Sequence, residues 1–153
     1  MQDPNIWDKR YDALEQLNKQ LICPDDFSQI DKAIKVARHV ESTATYYHTK
    51  FSRLLAEAKS KLSTVKLIFT TKLSQLISNT EFYPEESERL RKTYAETKLI
   101  EEFSAVERAK DEVSSCQLFI KALERVLGNA KHTREDIGRK IKLTEVQNDI
   151  KEL

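Results

Sequence analysis

Residues 28–77 read SQIDKAIKVARHVESTATYYHTKFSRLLAEAKSKLSTVKLIFTTKLSQLI. These fifty positions hold no Gly and no Pro. Two apolar series step through them at intervals of seven. One runs Ile30, Ala37, Ala44, Phe51, Ala58, Val65 and stops at Lys72. The other runs Ile34, Leu55, Leu62, Phe69, Leu76 and is interrupted by Glu41 and His48. Interleaved series of this kind mark a helix that lays one stripe against another helix. At 1.5 Å per residue, such a helix spans roughly 75 Å. That is too long for the core of a compact domain, so the stretch predicts a long partner helix.

The partner is found downstream. Leu99, Val106, Val113, Ile120 and Leu127 repeat the seven-residue step, with Phe103, Ala109, Cys116, Phe119 and Leu123 beside them. Between the two stretches lie Ser78-Asn79-Thr80 and Phe82-Tyr83-Pro84, a turn composition. Pro84 and the acids Glu85, Glu86 and Glu88 suit the first turn of a second helix. Two long heptad helices joined by a short turn predict an antiparallel hairpin. Upstream, Ile6, Trp7, Tyr11, Leu14, Leu17 and Leu21 form one helical face over about Asn5 to Ile22. Cys23-Pro24 ends that helix, because a residue before Pro leaves the helical region. Asp25, Asp26 and Ser28 offer caps for the next one. Gly128-Asn129 marks a possible end or kink of the second long helix. Beyond it Ile137, Ile141, Val146, Ile150 and Leu153 sit near helical spacing, with Leu143 as the other large apolar residue. They predict a short tail helix with a narrow stripe. The fold expected is therefore all-α and coiled-coil-like. Residues 1–24 form a short N-terminal amphipathic helix, 25–130 a long antiparallel hairpin, and 131–153 a C-terminal oligomerisation helix.

Composition agrees with that class. Of 153 residues, 33% are charged, 8% are aromatic, 2 are Gly and 3 are Pro, the profile of a long-helix protein rather than a sheet protein. No run approaches the 18 apolar residues of a membrane span, and the first residues lack the basic start and apolar core of a signal peptide. Cys23 and Cys116 fit no metal-ligand spacing. They predict a reducing, cytoplasmic setting with both thiols in apolar surroundings.

The net charge of +1 hides alternating blocks. Residues 1–31 carry seven acids against three bases, a net of −4. Residues 50–72 carry six bases against Glu57, a net of +5. Residues 81–112 carry ten acids against six bases, a net of −4. Residues 121–142 carry seven bases against three acids, a net of +4.

No catalytic pattern accompanies these blocks. His39, His48 and His132 make no i,i+4 pair with an acid between, so a zincin-type site is not expected. Two Gly cannot build a Gly-rich phosphate loop. The carboxylates read as solvated helix faces. A protein without catalysis, metal or cofactor is the expectation.

The +5 block carries the functional signal. Lys50, Arg53, Lys59, Lys61, Lys66 and Lys72 are interleaved with Ser63, Thr64, Thr70 and Thr71. Cations and hydroxyls along one helix suit a phosphate backbone, bound without sequence preference and with strong salt dependence. Tyr46, Tyr47 and Phe69 offer stacking faces for unpaired bases. The competing reading is that the basic block pairs with the acidic 81–112 block across the hairpin.

The hairpin resembles the phage recombination mediator family (UvsY-type), over roughly Thr43 to Leu143. The likeness lies in Tyr46-Tyr47, the evenly spaced basics of Leu54 to Lys66, and the polar turn near Ser78–Pro84. It continues in Glu88-Arg89-Leu90-Arg91-Lys92, in Val113 with Leu118-Phe119-Ile120 and Leu123, and in Ile137. Where that family carries a mixed Lys/Arg motif, this chain has Val65-Lys66-Leu67-Ile68, and only Lys66 matches. The resemblance implies a non-catalytic protein that binds single-stranded DNA and helps load a RecA-like recombinase. It also implies a single-strand-binding protein as partner and ring assembly through the C-terminal part. Such assembly fits Ile137, Ile141, Val146, Ile150 and Leu153 as oligomerisation residues. The alternative is a helical protein-binding adaptor, or a phage-encoded inhibitor, with no nucleic-acid partner.

Overall fold

A computed structural model describes residues 5–78 and 88–152 of the chain. Among them there are four helices and no strand: α1 (Ile6–Lys19), α2 (Ile30–Ser78), α3 (Glu88–Lys98) and α4 (Ile100–Glu152). The protein is an all-α helical hairpin built on α2 and α4. No helix among the described residues is long and apolar enough to cross a membrane. The expected turn at Asn79–Pro84, and Glu85 and Glu86 after it, lie outside the described residues.

α1 is shorter than its apolar face. Its last turn closes with Gln20 N–H on Leu17 O (3.2 Å) and Leu21 N–H on Asn18 O (3.1 Å). These tight i,i+3 bonds serve carbonyls that an α-helix leaves unpaired at its end. Next, Asp26 starts a 3-10 turn, Phe27–Gln29, that feeds α2. The Asp26 carboxylate accepts from Ser28 N–H at 2.9 Å and from the Ser28 hydroxyl at 2.7 Å. Those bonds favour the charged form and hold its pKa below the ordinary value. α3 and α4 are separated by Leu99 alone, and the hydrogen-bond ladder passes through it. Leu99 N–H reaches Ala95 O (3.0 Å), and Phe103 N–H reaches Leu99 O (2.8 Å).

By contacts the chain divides into two compact units, residues 1–52 with 118–153 and residues 53–117. In the first, Phe51 and Phe119 pack with ring centroids 4.5 Å apart. His48 Nε2 faces Glu124 Oε1 at 3.5 Å, Glu41 pairs with Arg134, and Lys140 donates to Pro24 O. Positions fall along α2 as they rise along α4, so the two helices are antiparallel. α1 seals this pair. Trp7 meets Phe51 and Phe119 at 6.0 and 5.9 Å, and Tyr11 meets Phe119 edge-on at 5.4 Å. The core is Leu14, Ile30, Ala37, Val40, Ala44, Phe51, Phe119, Leu123, Val126, Ala130 and Ile137.

The second unit shows the same antiparallel order. Lys61 pairs with Glu112, Phe69 with Phe103 and Lys72 with Glu102. Its buried residues are Ala58, Ala95, Leu99, Val106, Ala109, Val113 and Cys116.

Three expectations are corrected. Gly128-Asn129 does not end the second helix, which runs on to Glu152. Val126, Ala130 and Ile137 bury on both sides of the glycine. That burial outweighs the penalty of about 1 kcal/mol for one helical Gly. Residues 131–152 are therefore no separate helix. Cys23 is exposed, unlike Cys116, which is buried as expected.

Candidate nucleic-acid interface

All six cations of the basic block are exposed on α2, but they do not share a face. At about 100° per residue, Lys59 and Lys66 fall on one flank of the Phe51–Ala58–Val65 stripe. Lys50 and Lys61 fall on the other, Lys72 stands on the stripe itself one step beyond Val65, and Arg53 lies toward the outer side. The Lys61 flank meets α4. Lys61 Nζ donates to Glu112 Oε2 at 3.1 Å, and Lys72 Nζ bonds Glu102 Oε1. The Lys72 hydrogen bond keeps the Glu102 carboxyl below its usual pKa. The alternating charge blocks thus meet across the hairpin, as the competing reading of the basic block required. Among the described residues, no ion pair engages Lys50, Arg53, Lys59 or Lys66.

The hydroxyls divide in the same way. Ser63 Oγ donates to Lys59 O and Thr64 Oγ1 to Ser60 O, each at 3.1 Å. A hydroxyl has one proton, so neither donates to a phosphate while those bonds stand. Thr70 and Thr71 are exposed. Of the three aromatic candidates, Tyr46 is the most open. It lies edge-on to Tyr47 with centroids 5.4 Å apart. Phe69 is half-buried, with its ring 6.0 Å from that of the exposed Phe103 across the hairpin, so it is less open to a base than Tyr46.

The oligomerisation residues also separate. Ile137 is 1% exposed, so it is a core residue of the chain's own hairpin. Its stripe reaches past Gly128 because residues 109, 116, 123, 130 and 137 keep the seven-residue step on the inner side of α4. Ile141 is half-buried. Val146 and Ile150 are 54% and 65% exposed. Leu143 joins them at 63%, giving an i, i+3, i+7 stripe that faces solvent. Sequence spacing alone missed this set, because Leu143 falls out of step with Ile137 and Ile141. Leu153 lies outside the described residues.

Among the described residues, no group of three His, Cys, Asp or Glu could hold a metal ion. Against known protein families, curated proteins and solved structures, the chain shows no match.

Proposed function

We propose that this chain is a non-catalytic helical protein that binds single-stranded DNA along α2 and self-associates through the end of α4. The observation that carries the reading is the set of exposed cations on α2 without an ion pair among the described residues: Lys59 and Lys66 on one flank, Arg53 toward the outer side and Lys50 on the other flank. Such charges attract a polyanion and release its counterions, which gives affinity without base preference. Lys59 and Lys66 stand seven residues apart, about 10.5 Å along the helix axis. Tyr46 adds an open aromatic face for an unpaired base. Lys61 and Lys72 contribute less, because phosphate must first displace Glu112 and Glu102. The resemblance to recombination mediators extends the proposal to loading a RecA-like recombinase beside a single-strand-binding protein.

Self-association rests on Leu143, Val146 and Ile150. Copies packed through this stripe would bury it, and closed symmetry would satisfy each copy equally. Several copies on one particle would turn modest single-site affinity into tight multivalent binding. Light scattering on the Val146→Asp/Ile150→Asp double variant tests the assembly. A lower mass per particle at unchanged helicity is expected, and an unchanged mass would remove the tail from the interface.

A second reading has its own observation. Leu67 and Ile68 are exposed next to Lys66, where a phosphate-binding tract needs no apolar side chain. They suit a protein partner, as in a helical adaptor or inhibitor. A labelled single-stranded oligonucleotide titrated across a salt series separates the two. Salt-sensitive binding supports the DNA reading, and no binding at low salt favours the adaptor.

A further inference from the structure

α1 lies between two grooves of unlike chemistry in the first unit. One, of about 320 Å³, is lined by Tyr11, Asp12, Glu15, Asn18, Arg125 and Asn129 among others. It holds two carboxylates against one guanidinium, and Asn129 donates across it to Asn18 at 2.8 Å. The other, of about 250 Å³, has apolar walls from Ile6, Ala13, Leu14, Leu17, Phe119 and Leu123. Its polar lining is Lys9, Arg10, Lys50 and Tyr47, and no carboxylate among the described residues lines it.

We infer that this second groove binds a small amphiphilic anion, a monocarboxylate with an aliphatic tail. The Arg10 and Lys50 cations, with no carboxylate among the described residues of the lining, select negative charge. The Arg10 guanidinium is already placed, lying 4.6 Å from the Trp7 ring centroid and 5.0 Å from that of Phe51. A planar fork held on aromatic faces suits a carboxylate, which it can grip with two parallel bonds. The aliphatic walls select the tail, since a nucleobase would set its polar edges against side chains that offer no hydrogen bond. Size limits the tail. At roughly 30 Å³ per water-sized group, the groove encloses about eight carbons, and a slightly longer tail would run out of its open side. The groove falls just below the usual range for drug-sized ligands, about 300–1,000 Å³. The site is separate from the Lys59–Lys66 tract and shares only Lys50 with the proposed DNA surface.

Trp7 is the one Trp of the chain and packs against Arg10, Phe51 and Phe119 of the groove, so its fluorescence reports occupancy. The full-length protein is titrated with sodium decanoate below its micellar range, and in parallel with decanol and decyltrimethylammonium. A saturable Trp7 response to decanoate is expected, at least tenfold weaker for decanol and absent for the cation. Lys50→Glu, which removes an exposed cation, and Ala13→Phe, which fills the groove, should each weaken decanoate at least tenfold at unchanged helicity. Ala13→Phe should leave oligonucleotide binding intact, which separates this site from the DNA surface. Equal responses to decanoate and the cationic amphiphile, or wild-type affinity in a folded Lys50→Glu protein, would overturn the inference. If both variants lose helicity, the three-probe comparison on the wild-type protein decides it.

Discussion

The two units carry the same seven-residue pattern on α2 but bury it differently. In residues 1–52 with 118–153, α1 covers the α2/α4 pair, and Ile30, Ala37, Val40, Ala44 and Phe51 are all buried. Among the described residues of 53–117 no helix plays the part of α1. There Ala58 is buried on α2, while Leu54, Leu55, Leu62, Val65, Phe69, Leu73 and Leu76 are half-exposed. Two helices can cover only their facing stripes, and a third is needed to close the open flank. A heptad pattern therefore reports that a stripe has a partner, not how completely the partner covers it.

The largest effect that sharpens this comparison is a pair of truncations. Phe119→Ala removes the ring that Trp7, Tyr11 and Phe51 share. It should cost about 3–5 kcal/mol and loosen α1, seen as a red-shifted Trp7 emission. Leu62→Ala, on the half-exposed stripe, should cost about 1–2 kcal/mol, because only part of the side chain leaves water on folding. Urea melts of both variants check the ordering. Equal losses would show that α1 adds no coverage.

A smaller and opposite effect is expected at Gly128. A Cβ built there meets nothing within 4 Å, and its neighbours Val126 and Ala130 are buried. Gly128→Ala should stabilise the first unit by about 0.5–1 kcal/mol, read as a higher urea midpoint. A loss of stability would mean that the helix needs the glycine to bend.

The smallest effect concerns acid. The Lys72 hydrogen bond lowers the Glu102 pKa in the folded chain. The stability it brings is present above the unfolded pKa and is lost as pH falls through the folded one. Glu102→Gln should therefore flatten the acid limb of stability against pH only slightly, because the pair is solvent-screened. A wild-type acid limb in that variant would show that the pair contributes nothing.

Much of the fold was legible because periodicity reports partnership. The long helix expected over Ser28–Ile77 is Ile30–Ser78, and Asp26, one of the proposed caps, does bind Ser28. Local composition was a poorer guide where tertiary burial overrode it. Gly128-Asn129 carries a helix-ending signal, yet the helix continues. Cys23 was expected in an apolar setting, but the chain leaving α1 toward Pro24 keeps it in solvent. For the candidate site, sequence placed the cations on α2. It could not say which of them α4 engages, because that depends on flank and on the stagger between helices. Lys61 and Lys72 sit four and three residues from the half-buried Val65 and Phe69 and reach across. Lys59 and Lys66 sit on the flank opposite Lys61. The groove beside α1 was not legible at all, since it joins residues from three helices far apart in the chain.

The most direct test of the proposed DNA surface compares those two pairs. Binding of a labelled single-stranded oligonucleotide is measured across a salt series for the wild-type protein, for Lys59→Ala/Lys66→Ala and for Lys61→Ala/Lys72→Ala. The first variant should weaken binding alike for all base compositions and flatten the slope of log affinity against log salt by about 0.7 per lost contact. The second should keep a slope close to wild type. Equal losses in both variants, or no wild-type binding at low salt, would contradict the account.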